Sequence, residues 1–451
     1  MDFKGKKVLV AGLGRSGIAA ARLLKNKEAL VTIQDIKEED KVADKVAGLA
    51  NEGFELYLGR NPVDIVQGFD ILVISPGIPI DLPFIEKAKQ LKIPVWGEIE
   101  LAYSFTPCPI TAITGTNGKT TTTALTGEIM RRKYRDAAVV GNIGVAYCEK
   151  VGALTPESYV VAEISSFQLE SVHEFRPKIS AVLNISQDHL NRHKTMDVYI
   201  GMKERIFGKQ GEGDFVVLNY DDEVTRKMAA RSRAKVIFFS RRQVLDEGVF
   251  LDGENIRAKL FGEDVGVINI HDMKIIGAHN VENALAATAM ALAAQVGPAD
   301  IAAALRQFKA VEHRLEYVAE KGGVVYYNDS KATNVDSAIK SLEAISRPIM
   351  LIGGGSDKGS DFGEWVKLFN GRVKHVVVIG EVADKICQAC KAYDYEHFTK
   401  ANSLKDAVAI AAGKAVRGDA VLLSPACASF DMFDDFEQRG RLFKEFVTSA
   451  L

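Results

Sequence analysis

Cysteine is scarce in this sequence, and long hydrophobic runs are missing. Five cysteines, an odd number, are scattered over 451 residues, and such a set does not form a disulfide framework. Apolar runs such as those at residues 8–11 and 376–379 are far shorter than the roughly 20 residues that a membrane helix needs. The first residues carry no apolar segment typical of a signal peptide. We therefore expect a cytoplasmic protein without a membrane partner.

An excess of charge of one sign is missing as well. Lysine and arginine together number 57, aspartate and glutamate 59, and the formal net charge is −2. This balance gives no overall basic field to attract nucleic acid, so we expect no nucleic-acid partner and expect a local site to hold any anionic ligand. The content of 47% hydrophobic and 26% charged residues is typical of a globular chain and excludes a mainly disordered or fibrous protein.

Short apolar runs alternate with helical patterns, which favours parallel strands joined by crossover helices. Pro107 and Pro109 interrupt the first such unit, because proline breaks helices and central strands. A third unit follows Arg314. At roughly 150 residues per domain, we predict an α/β protein with domains over 1–97, 98–310 and 311–451. Strands are predicted at 7–11, 30–34, 54–58, 71–74, 93–96, 110–113, 159–164, 179–185, 215–218, 324–327, 349–352, 376–380 and 420–423, and helices at 122–132, 281–294 and 299–308.

A glycine-containing turn lies between the apolar run at 110–113 and the helical pattern that follows it. Backbone N–H groups of such a turn, together with the helix dipole, point at an anion. A lysine there supplies a cation to phosphates, and the next hydroxyl can bind Mg²⁺. The spacing is shorter than in the usual P-loop, so a coincidental turn stays the alternative. The turn contains Gly115, Thr116, Asn117, Gly118, Lys119, Thr120 and Thr121.

A second glycine pattern, Gly12 to Gly17, follows the first predicted strand and fits G-x-G-x-x-G. Asp35 ends the second strand at about the spacing of a ribose-binding carboxylate. Taken alone, this pattern is equally compatible with a nicotinamide-dependent dehydrogenase and with a protein that binds another ligand. The glycines themselves indicate only a close backbone approach to a pyrophosphate, which a UDP-sugar also carries.

Polar residues at other strand ends are candidate ligands. Glu163 ends an apolar strand, where a carboxylate can bind Mg²⁺ or remain a solvated acid. His189 and His193 lie four residues apart and could share a helical face, but a third zinc ligand is not evident. Cys387 and Cys390 form a C-x-x-C on what reads as a surface helix, without the second pair of a zinc site and with redox chemistry as a lesser alternative. Polar turns at 329–334 and 424–429 lie where doubly wound domains bind ligands.

These segments, in this order, resemble the Mur ligase family over essentially the whole chain. The resemblance implies a Rossmann-like N-terminal domain, a central P-loop-type mononucleotide-binding ATPase domain and a Rossmann-like C-terminal domain. It implies two Mg²⁺ ions, ATP as co-substrate, and carbamylation of Lys203, because a carbamate binds a cation where an ammonium does not. The implied catalytic residues are Lys119, Glu163, His189 and Lys203, and the implied metal ligands are Thr120, Glu163, His189 and Lys203.

The resemblance also assigns the substrate contacts. Beyond the turn at 115–121, it implies ATP contacts at Asn280, Asn283, Arg314, Asp329 and Lys331. For a UDP-linked substrate it implies Gly14, Arg15, Ser16, Gly17, Asp35, Lys37, Ser75, Gly77 and Asn142. The segment at 424–431 is similar to that of glutamate-adding members, with D-glutamate contacts at Thr333, Lys358, Ser429 and Phe436. One departure is Ile36, where such members often carry a threonine, so a hydroxyl contact is lost there.

The function implied is formation of an amide bond, driven by ATP, between UDP-N-acetylmuramoyl-L-alanine and D-glutamate by way of an acyl phosphate, with the monomer as the active form. Three alternatives differ from it. A nicotinamide-dependent oxidoreductase leaves the loop at 115–121 and Lys203 unexplained. An ATP-gated binding module would turn over ATP without an amino-acid acceptor. A folylpolyglutamate synthetase would not need a UDP-binding first domain.

Overall fold

Three β-sheets organise the residues that the computed structural model describes, which are 2–309, 311–357 and 359–449. The chain divides into two compact units. One contains the chain up to Ile270 together with Asn283–Leu305, and the other contains His271–Glu282 together with the chain from Arg306 onward. The first unit includes the first two sheets, and the second includes the third sheet. The domain limits stated above remain predictions.

The first sheet is fully parallel and has the strand order β3-β2-β1-β4-β5. Its central strands are almost continuously apolar because helices cover parallel sheets on both faces, and all four residues of β4 are buried. The strands are β1 (Lys7–Ala11), β2 (Leu30–Asp35), β3 (Glu55–Leu58), β4 (Ile71–Ile74) and β5 (Val95–Gly97), and the helices are α1 (Arg15–Asn26), α2 (Ala43–Asn51), α3 (Pro83–Gln90) and α4 (Glu98–Tyr103).

The second sheet has nine strands in the order β14-β13-β12-β11-β10-β9-β6-β8-β7. It is parallel from β7 to β12, and β12 to β14 form an antiparallel meander. The strands are β6 (Ile110–Thr114), β7 (Ala137–Gly141), β8 (Tyr159–Glu163), β9 (Ile179–Val182), β10 (Phe215–Asn219), β11 (Lys235–Ser240), β12 (Gly248–Asp252), β13 (Asn255–Leu260) and β14 (Glu263–Asn269). The helices are α5 (Lys119–Met130), α6 (Tyr147–Lys150), α7 (Ser166–Leu169), α8 (Leu190–His193), α9 (Met196–Glu204), α10 (Glu223–Met228), α11 (Ala278–Ala293) and α12 (Pro298–Gln307).

The third sheet has six strands in the order β15-β16-β20-β17-β18-β19, and only its edge strand β15 is antiparallel to its neighbour. The strands are β15 (Glu316–Lys321), β16 (Val324–Asn328), β17 (Ile349–Gly354), β18 (Val373–Ile379), β19 (Phe398–Lys400) and β20 (Ala420–Leu423). The helices are α13 (Val335–Ala344), α14 (Gly363–Lys367), α15 (Ala383–Ala392), α16 (Leu404–Lys414) and α17 (Phe436–Ser449). Short 3-10 turns lie at Glu39–Val42, Pro62–Asp64, Val66–Gly68, Val151–Ala153, Ala229–Arg231 and Ile270–Asp272.

Every strand predicted from sequence is present, with ends that differ by at most three residues. The α/β prediction is confirmed. The predicted helices begin earlier than expected, with α5 starting at Lys119 and α11 at Ala278. Sequence patterns missed β7, β15, β19 and the strands from β11 to β14. In the described part of the chain, no helix has both the length and the apolar character needed to cross a membrane.

Candidate active site

The loop between β6 and α5 is shaped by two glycines with positive φ. Gly115 has φ +152° and Gly118 has φ +82°. A Cβ at position 118 would lie 2.4 Å from Oδ1 of Asn283, and one at position 115 would lie 3.0 Å from Cβ of Leu183. Glycine is therefore needed here for both conformation and space. The loop ends at the N-terminus of α5, which is the geometry that binds phosphate.

Residues that follow β9 form hydrogen bonds to this loop. Asn184 accepts from the backbone N–H of Asn117 at 2.8 Å and donates to the Asn117 carbonyl at 3.1 Å. Thr116 Oγ1 accepts from the backbone N–H of Ser186 at 3.0 Å and lies 3.1 Å from the Tyr199 hydroxyl. Sequence analysis missed Asn184, Ser186 and Tyr199, although Asn184 lies just beyond a strand end like the other candidates.

Two lysines reach the same carbonyl oxygen of this loop. Lys119 Nζ donates to Gly115 O at 2.9 Å and to Thr116 O at 2.8 Å. Lys203 Nζ, from α9, donates to Gly115 O at 2.8 Å. Thr120 and Thr121, which follow Lys119 in the first turn of α5, are buried. The fold thus brings Lys119 and Lys203, 84 positions apart in sequence, to one atom.

Burial makes Lys203 an unusual lysine. Only 1% of the residue is exposed. Desolvation, and to a lesser degree the nearby charge of Lys119, lowers the pKa of its ammonium well below the usual value, against the opposing effect of Asp188 and Glu163. A neutral amine is nucleophilic, whereas an ammonium is not. This shift favours the neutral amine, which is the form that reacts with CO₂.

Glu163 and Asn142 meet at the ends of the adjacent strands β8 and β7. The Asn142 amide donates to Glu163 Oε1 at 2.8 Å, and its backbone N–H donates to the Glu163 carbonyl at 2.9 Å. Glu163 is 1% exposed, and its Oε2 is buried without a hydrogen-bond partner. A buried, unpaired carboxylate oxygen is costly unless a cation or a donor reaches it. This orphaned acceptor fits a divalent cation.

His189 lies immediately before α8 in a left-handed conformation, with φ +54°. Its ring lies 4.8 Å from the Phe167 ring, and its Nε2 lies 3.5 Å from Oδ2 of Asp188. The ring of His193, in contrast, is buried and bonds to Ser166 Oγ at 2.9 Å. The two histidines do not share a helical face, because His189 precedes the helix. The zinc interpretation of this pair is therefore not supported.

The first glycine loop is arranged differently. Asp35 accepts from the backbone N–H of Leu13 at 2.8 Å and from that of Lys37 at 3.0 Å. A Cβ at Gly17 would lie 2.0 Å from the carbonyl oxygen of Gly12, so this glycine allows close helix–loop packing. Gly14 is the N-cap of α1, and Arg15 and Ser16 begin that helix.

Ser75 and Gly77 follow β4 on the same edge of the first sheet. Ser75 Oγ lies 3.5 Å from the Gly12 carbonyl, which places the two turns side by side. Arg192 donates to the Gly77 carbonyl at 3.5 Å and to the Ile78 carbonyl at 2.9 Å. Arg192 also pairs with Glu170. Within the first unit, the predicted UDP-end residues therefore lie beside the loop that carries His189, and sequence analysis missed Arg192 in this role.

In the second unit, Asp329 is turned inward. Its Oδ2 accepts from the Ser341 hydroxyl at 2.5 Å and from the Ser424 hydroxyl at 2.9 Å, and its Oδ1 accepts from the Leu315 N–H at 3.1 Å. Burial raises the pKa of this carboxyl to about 6, against the lowering effect of the donors. Asp329 therefore holds the turn together, and its expected contact with ATP stays a prediction.

Other predicted residues of the second unit cluster around this turn. The Lys331 ammonium lies 3.5 Å from the centre of the Phe436 ring, and Ser429 is buried in the turn after β20. Thr333 lies just before α13, and Lys358 lies outside the described residues. Asn280 is 7% exposed and donates to the Ile276 carbonyl at 2.7 Å. Arg314 carries charge close enough to His279 to lower the pKa of that imidazole, although burial is the larger cause.

The C-x-x-C lies on α15, with both cysteines facing inward. Cys387 is 6% exposed and Cys390 is fully buried. Burial raises the pKa of both thiols, that of Cys390 to about 12. Because the thiolate is the reactive form, this pair is poorly suited to redox chemistry. The helix is at the surface, as expected, because Asp384, Gln388 and Lys391 are exposed, and the two cysteines lie on its buried face.

Parallel sheets with a lysine-bearing phosphate loop at the strand ends define a mononucleotide-binding α/β protein. The chain belongs to the Mur ligase family. Residues 6–97 match the model of the Mur ligase MurD-like N-terminal domain, residues 113–291 that of the Mur ligase middle domain, and residues 313–427 that of the Mur ligase glutamate ligase domain.

Curated relatives resemble the chain over its whole length. It is 47% identical to a UDP-N-acetylmuramoylalanine--D-glutamate ligase of Alkaliphilus metalliredigens, covering 100% of this chain and 99% of the relative. It is 49% identical to the protein of the same description from Lachnospira eligens, covering 100% of both. The nicotinamide-dependent oxidoreductase is therefore the wrong interpretation of Gly12–Gly17. The match of the first domain likewise contradicts a folylpolyglutamate synthetase.

Solved structures share the fold at low sequence identity. The chain aligns with the UDP-N-acetylmuramate-alanine ligase MurC of Thermotoga maritima with a TM-score of 0.63 and 20% identity, covering 99% of this chain and 100% of the other. For MurF of Thermotoga maritima in complex with ADP, the TM-score is 0.59 at 15% identity, with 99% and 96% covered. The three-domain α/β fold predicted from sequence is confirmed.

Proposed function

We propose that this chain is an ATP-dependent ligase that joins D-glutamate to UDP-N-acetylmuramoyl-L-alanine in peptidoglycan precursor synthesis. The observation that carries the proposal is the pair of lysines on the Gly115 carbonyl, beside the buried carboxylate of Glu163. The full-length relatives described as UDP-N-acetylmuramoylalanine--D-glutamate ligases support the choice of substrates. The ADP complex of the structurally similar MurF supports the choice of nucleotide.

The reaction needs two steps because a free carboxylate is a poor acyl donor. In the first step, a carboxylate oxygen of the UDP-linked substrate attacks the γ-phosphorus of ATP, the bond to the β-phosphate oxygen breaks, and ADP leaves. In the second, the amine of D-glutamate attacks the acyl carbon, the bond to the phosphate oxygen breaks, and phosphate and a proton are released. The product carries the new amide bond.

Charge repulsion is the main obstacle to the first step. Two unit charges about 4 Å apart repel by roughly 4 kcal/mol at an effective dielectric of 20. Lys119 and the N–H groups at the start of α5 offset this repulsion at the γ-phosphoryl group. Lys119 is held over the loop by the carbonyls of Gly115 and Thr116, so its ammonium is already in place for the transferring group.

Lys203 completes this site as a carbamate. Its neutral amine attacks CO₂, a C–N bond forms as one C–O π bond opens, and one proton is released, so that a buried neutral amine becomes an anionic ligand. Thr120, Glu163, His189 and the carbamylated Lys203 are the proposed ligands of two Mg²⁺ ions, and the unpaired Oε2 of Glu163 supports this assignment. Bound Mg²⁺ supplies positive charge that neutralises the phosphates.

The remaining residues bind and orient the substrates. At the UDP end, Asp35 and the turns at 12–17 and 75–77 are proposed to contact the nucleotide, with Asn142 at the reactive end. Asn280, Asn283, Arg314, Asp329 and Lys331 are proposed for ATP, and Thr333, Lys358, Ser429 and Phe436 for D-glutamate. Since one chain supplies residues for every substrate, we propose the monomer as the active form, acting in the cytoplasm.

Phosphate release from ATP tests the proposal. The assay contains UDP-N-acetylmuramoyl-L-alanine with D-glutamate, with L-glutamate, or with no amino acid. Release that requires D-glutamate and is accompanied by a new UDP-linked product supports the ligase. ATP turnover that is independent of the amino acid would instead indicate the ATP-gated binding module.

A further inference from the structure

A fully buried arginine joins two turns of the second unit. Arg439 lies in the first turns of α17 and is 0% exposed. Its Nε donates to Ser330 Oγ at 3.0 Å and its Nη2 donates to the Ser330 carbonyl at 2.8 Å. The same guanidinium donates to the carbonyls of Cys427 at 3.1 Å and Ala428 at 3.1 Å. These partners are neutral, so the group serves as a hydrogen-bonding fork.

The two turns that Arg439 connects carry proposed substrate contacts on either side of it. Ser330 lies in the turn after β16, three residues before Thr333. Cys427 and Ala428 lie in the turn after β20 and immediately precede Ser429. Because β16 and β20 are parallel neighbours, their carboxyl ends meet at one edge of the sheet, where such folds bind ligands.

The turn after β16 has other anchors. Asp329 is held by Ser341, Ser424 and the Leu315 N–H, and the Lys331 N–H donates to the His313 carbonyl at 3.0 Å. In the turn after β20, Arg439 binds the two consecutive carbonyls directly before Ser429. The Ala428 carbonyl also accepts from the backbone N–H of Ser356 at 3.0 Å, so the guanidinium is one of two anchors of the backbone directly before Ser429.

We propose that Arg439 is a positioning residue for the amino-acid substrate, which sets the spacing between the turn that carries Thr333 and the turn that carries Ser429. This inference rests on the proposed function. A dicarboxylic amino acid presents two anionic groups whose separation is limited by its short side chain, and its affinity depends on how accurately donors on two separate turns match a separation that it can adopt.

Lysine does not reproduce this role. The guanidinium offers five N–H donors in a rigid planar fork, whereas an ammonium offers three donors at one point. Burial lowers the pKa of Arg439 to about 10, so the group is still charged at neutral pH. Arg439→Lys therefore keeps the charge and much of the aliphatic packing but removes the fork that spans both turns.

The test compares Arg439→Lys with Arg441→Lys, an exposed arginine on the same helix. Two rates are measured on each full-length enzyme. One is amide formation as a function of D-glutamate concentration. The other is hydroxamate formation from UDP-N-acetylmuramoyl-L-alanine and ATP, with hydroxylamine trapping the acyl phosphate in place of the amino acid. The second rate does not involve the amino-acid site.

For Arg439→Lys we expect the KM for D-glutamate to rise about tenfold, the effect of losing about 1.4 kcal/mol, with hydroxamate formation unchanged. Arg441→Lys leaves both rates unchanged. An unchanged KM, or an equal fall of both rates, would overturn the inference. If wild-type enzyme makes hydroxamate but no product with D-glutamate, the proposed function fails instead.

A second variant covers the case in which Arg439→Lys does not fold. Ser330→Ala removes the acceptor of Nε, together with the hydroxyl that donates to the Phe436 carbonyl at 2.8 Å, and leaves the guanidinium in place. We expect hydroxamate formation to stay unchanged and the KM for D-glutamate to rise less than in Arg439→Lys, about threefold, as for one neutral acceptor lost. A thermal midpoint equal to that of wild type shows that the variant is folded. A folded Ser330→Ala enzyme with the wild-type KM would contradict the role of Arg439.

Discussion

The first unit contains two glycine loops in the same position of their sheets. Each follows a central parallel strand and leads into a helix, Gly12–Gly17 after β1 and Gly115–Gly118 after β6. Around the first loop, an acid, Asp35, accepts backbone N–H groups. Around the second, two lysines donate to the Gly115 carbonyl. The two loops thus share a strand–loop–helix backbone geometry and differ in the side chains beside them, an acid at the first loop and two lysines at the second.

This difference shows what a glycine pattern can indicate. Glycines permit close approach of a backbone to a ligand or to another segment. The chemistry depends on the side chains that other parts of the chain bring to the loop. Lys203 is distant in sequence from the loop at Gly115, so the glycines of that loop do not indicate it. In the same way, the glycines at 12–17 alone are compatible with a dehydrogenase or a ligase.

Removing Lys203, one of the two lysines that donate to the Gly115 carbonyl, is expected to have the largest effect on ligase activity. Lys203→Ala should lower ligase activity by about 1000-fold, because the loss of a preorganised charged group in a dry site is that costly. Added bicarbonate should not restore activity, since no amine remains to carbamylate. Steady-state rates are compared with those of Lys209→Ala, an exposed lysine paired with Glu174. Wild-type rates in Lys203→Ala would remove the carbamate from the mechanism.

Neutralising the acid beside the second loop is expected to have the next largest effect. Glu163→Gln keeps an acceptor for Asn142 but removes the charge of the unpaired oxygen. We expect activity to fall about 100-fold, with a higher Mg²⁺ concentration needed for half-maximal rate. A Mg²⁺ titration measures this, and Glu157→Gln, exposed just before the same strand, is the control. An unchanged Mg²⁺ requirement would contradict a metal role for Glu163.

The contribution of close packing in the loop at 12–17 to stability can be measured separately from the binding of a ligand by that loop. Gly17→Ala places a Cβ 2.0 Å from the Gly12 carbonyl oxygen, and we expect the free energy of unfolding to fall by about 2–3 kcal/mol. Gly14→Ala meets nothing within 4 Å and should cost about 1 kcal/mol or less, as an N-cap change. Urea unfolding measures both. Equal losses would mean that close packing does not explain the glycine at position 17.

The acid of the first loop is expected to have the smallest effect. Asp35→Asn replaces one acceptor by an amide donor that faces a backbone N–H. We expect the KM for the UDP-linked substrate to rise about tenfold, as for one buried group left unpaired, with the KM for ATP unchanged. Asp44→Asn, at an exposed position of α2, controls for charge. A change in the KM for ATP alone would place Asp35 at the wrong substrate.

Buried parallel strands and the turns after them could be predicted from sequence because their signal is local. Ile71–Ile74 is a continuous apolar run, and the structure buries all of it. Of the strands that were missed, β7, β14, β15 and β19 are at sheet edges, whereas β11, β12 and β13 lie inside the second sheet. Asn255–Leu260 alternates between buried apolar and more exposed polar positions, a period of two that is typical of a strand and was missed. The helix that carries the C-x-x-C is a surface helix, as predicted, but two cysteines three positions apart give no indication of which face of the helix is buried.

The features of the candidate site also fall into two groups, those with a local sequence signal and those that depend on the tertiary structure. By itself, the sequence determined where strands end, where the backbone must turn tightly, and which residues with phosphate-binding or metal-binding chemistry stand at those ends. Only the tertiary structure decided that Lys203 and Lys119 share one carbonyl, that one oxygen of Glu163 has no partner, and that Arg439 joins two turns. The reason is physical: propensity and periodicity act over a few residues, whereas these contacts depend on the order of strands in a sheet, which brings distant parts of the chain to one edge.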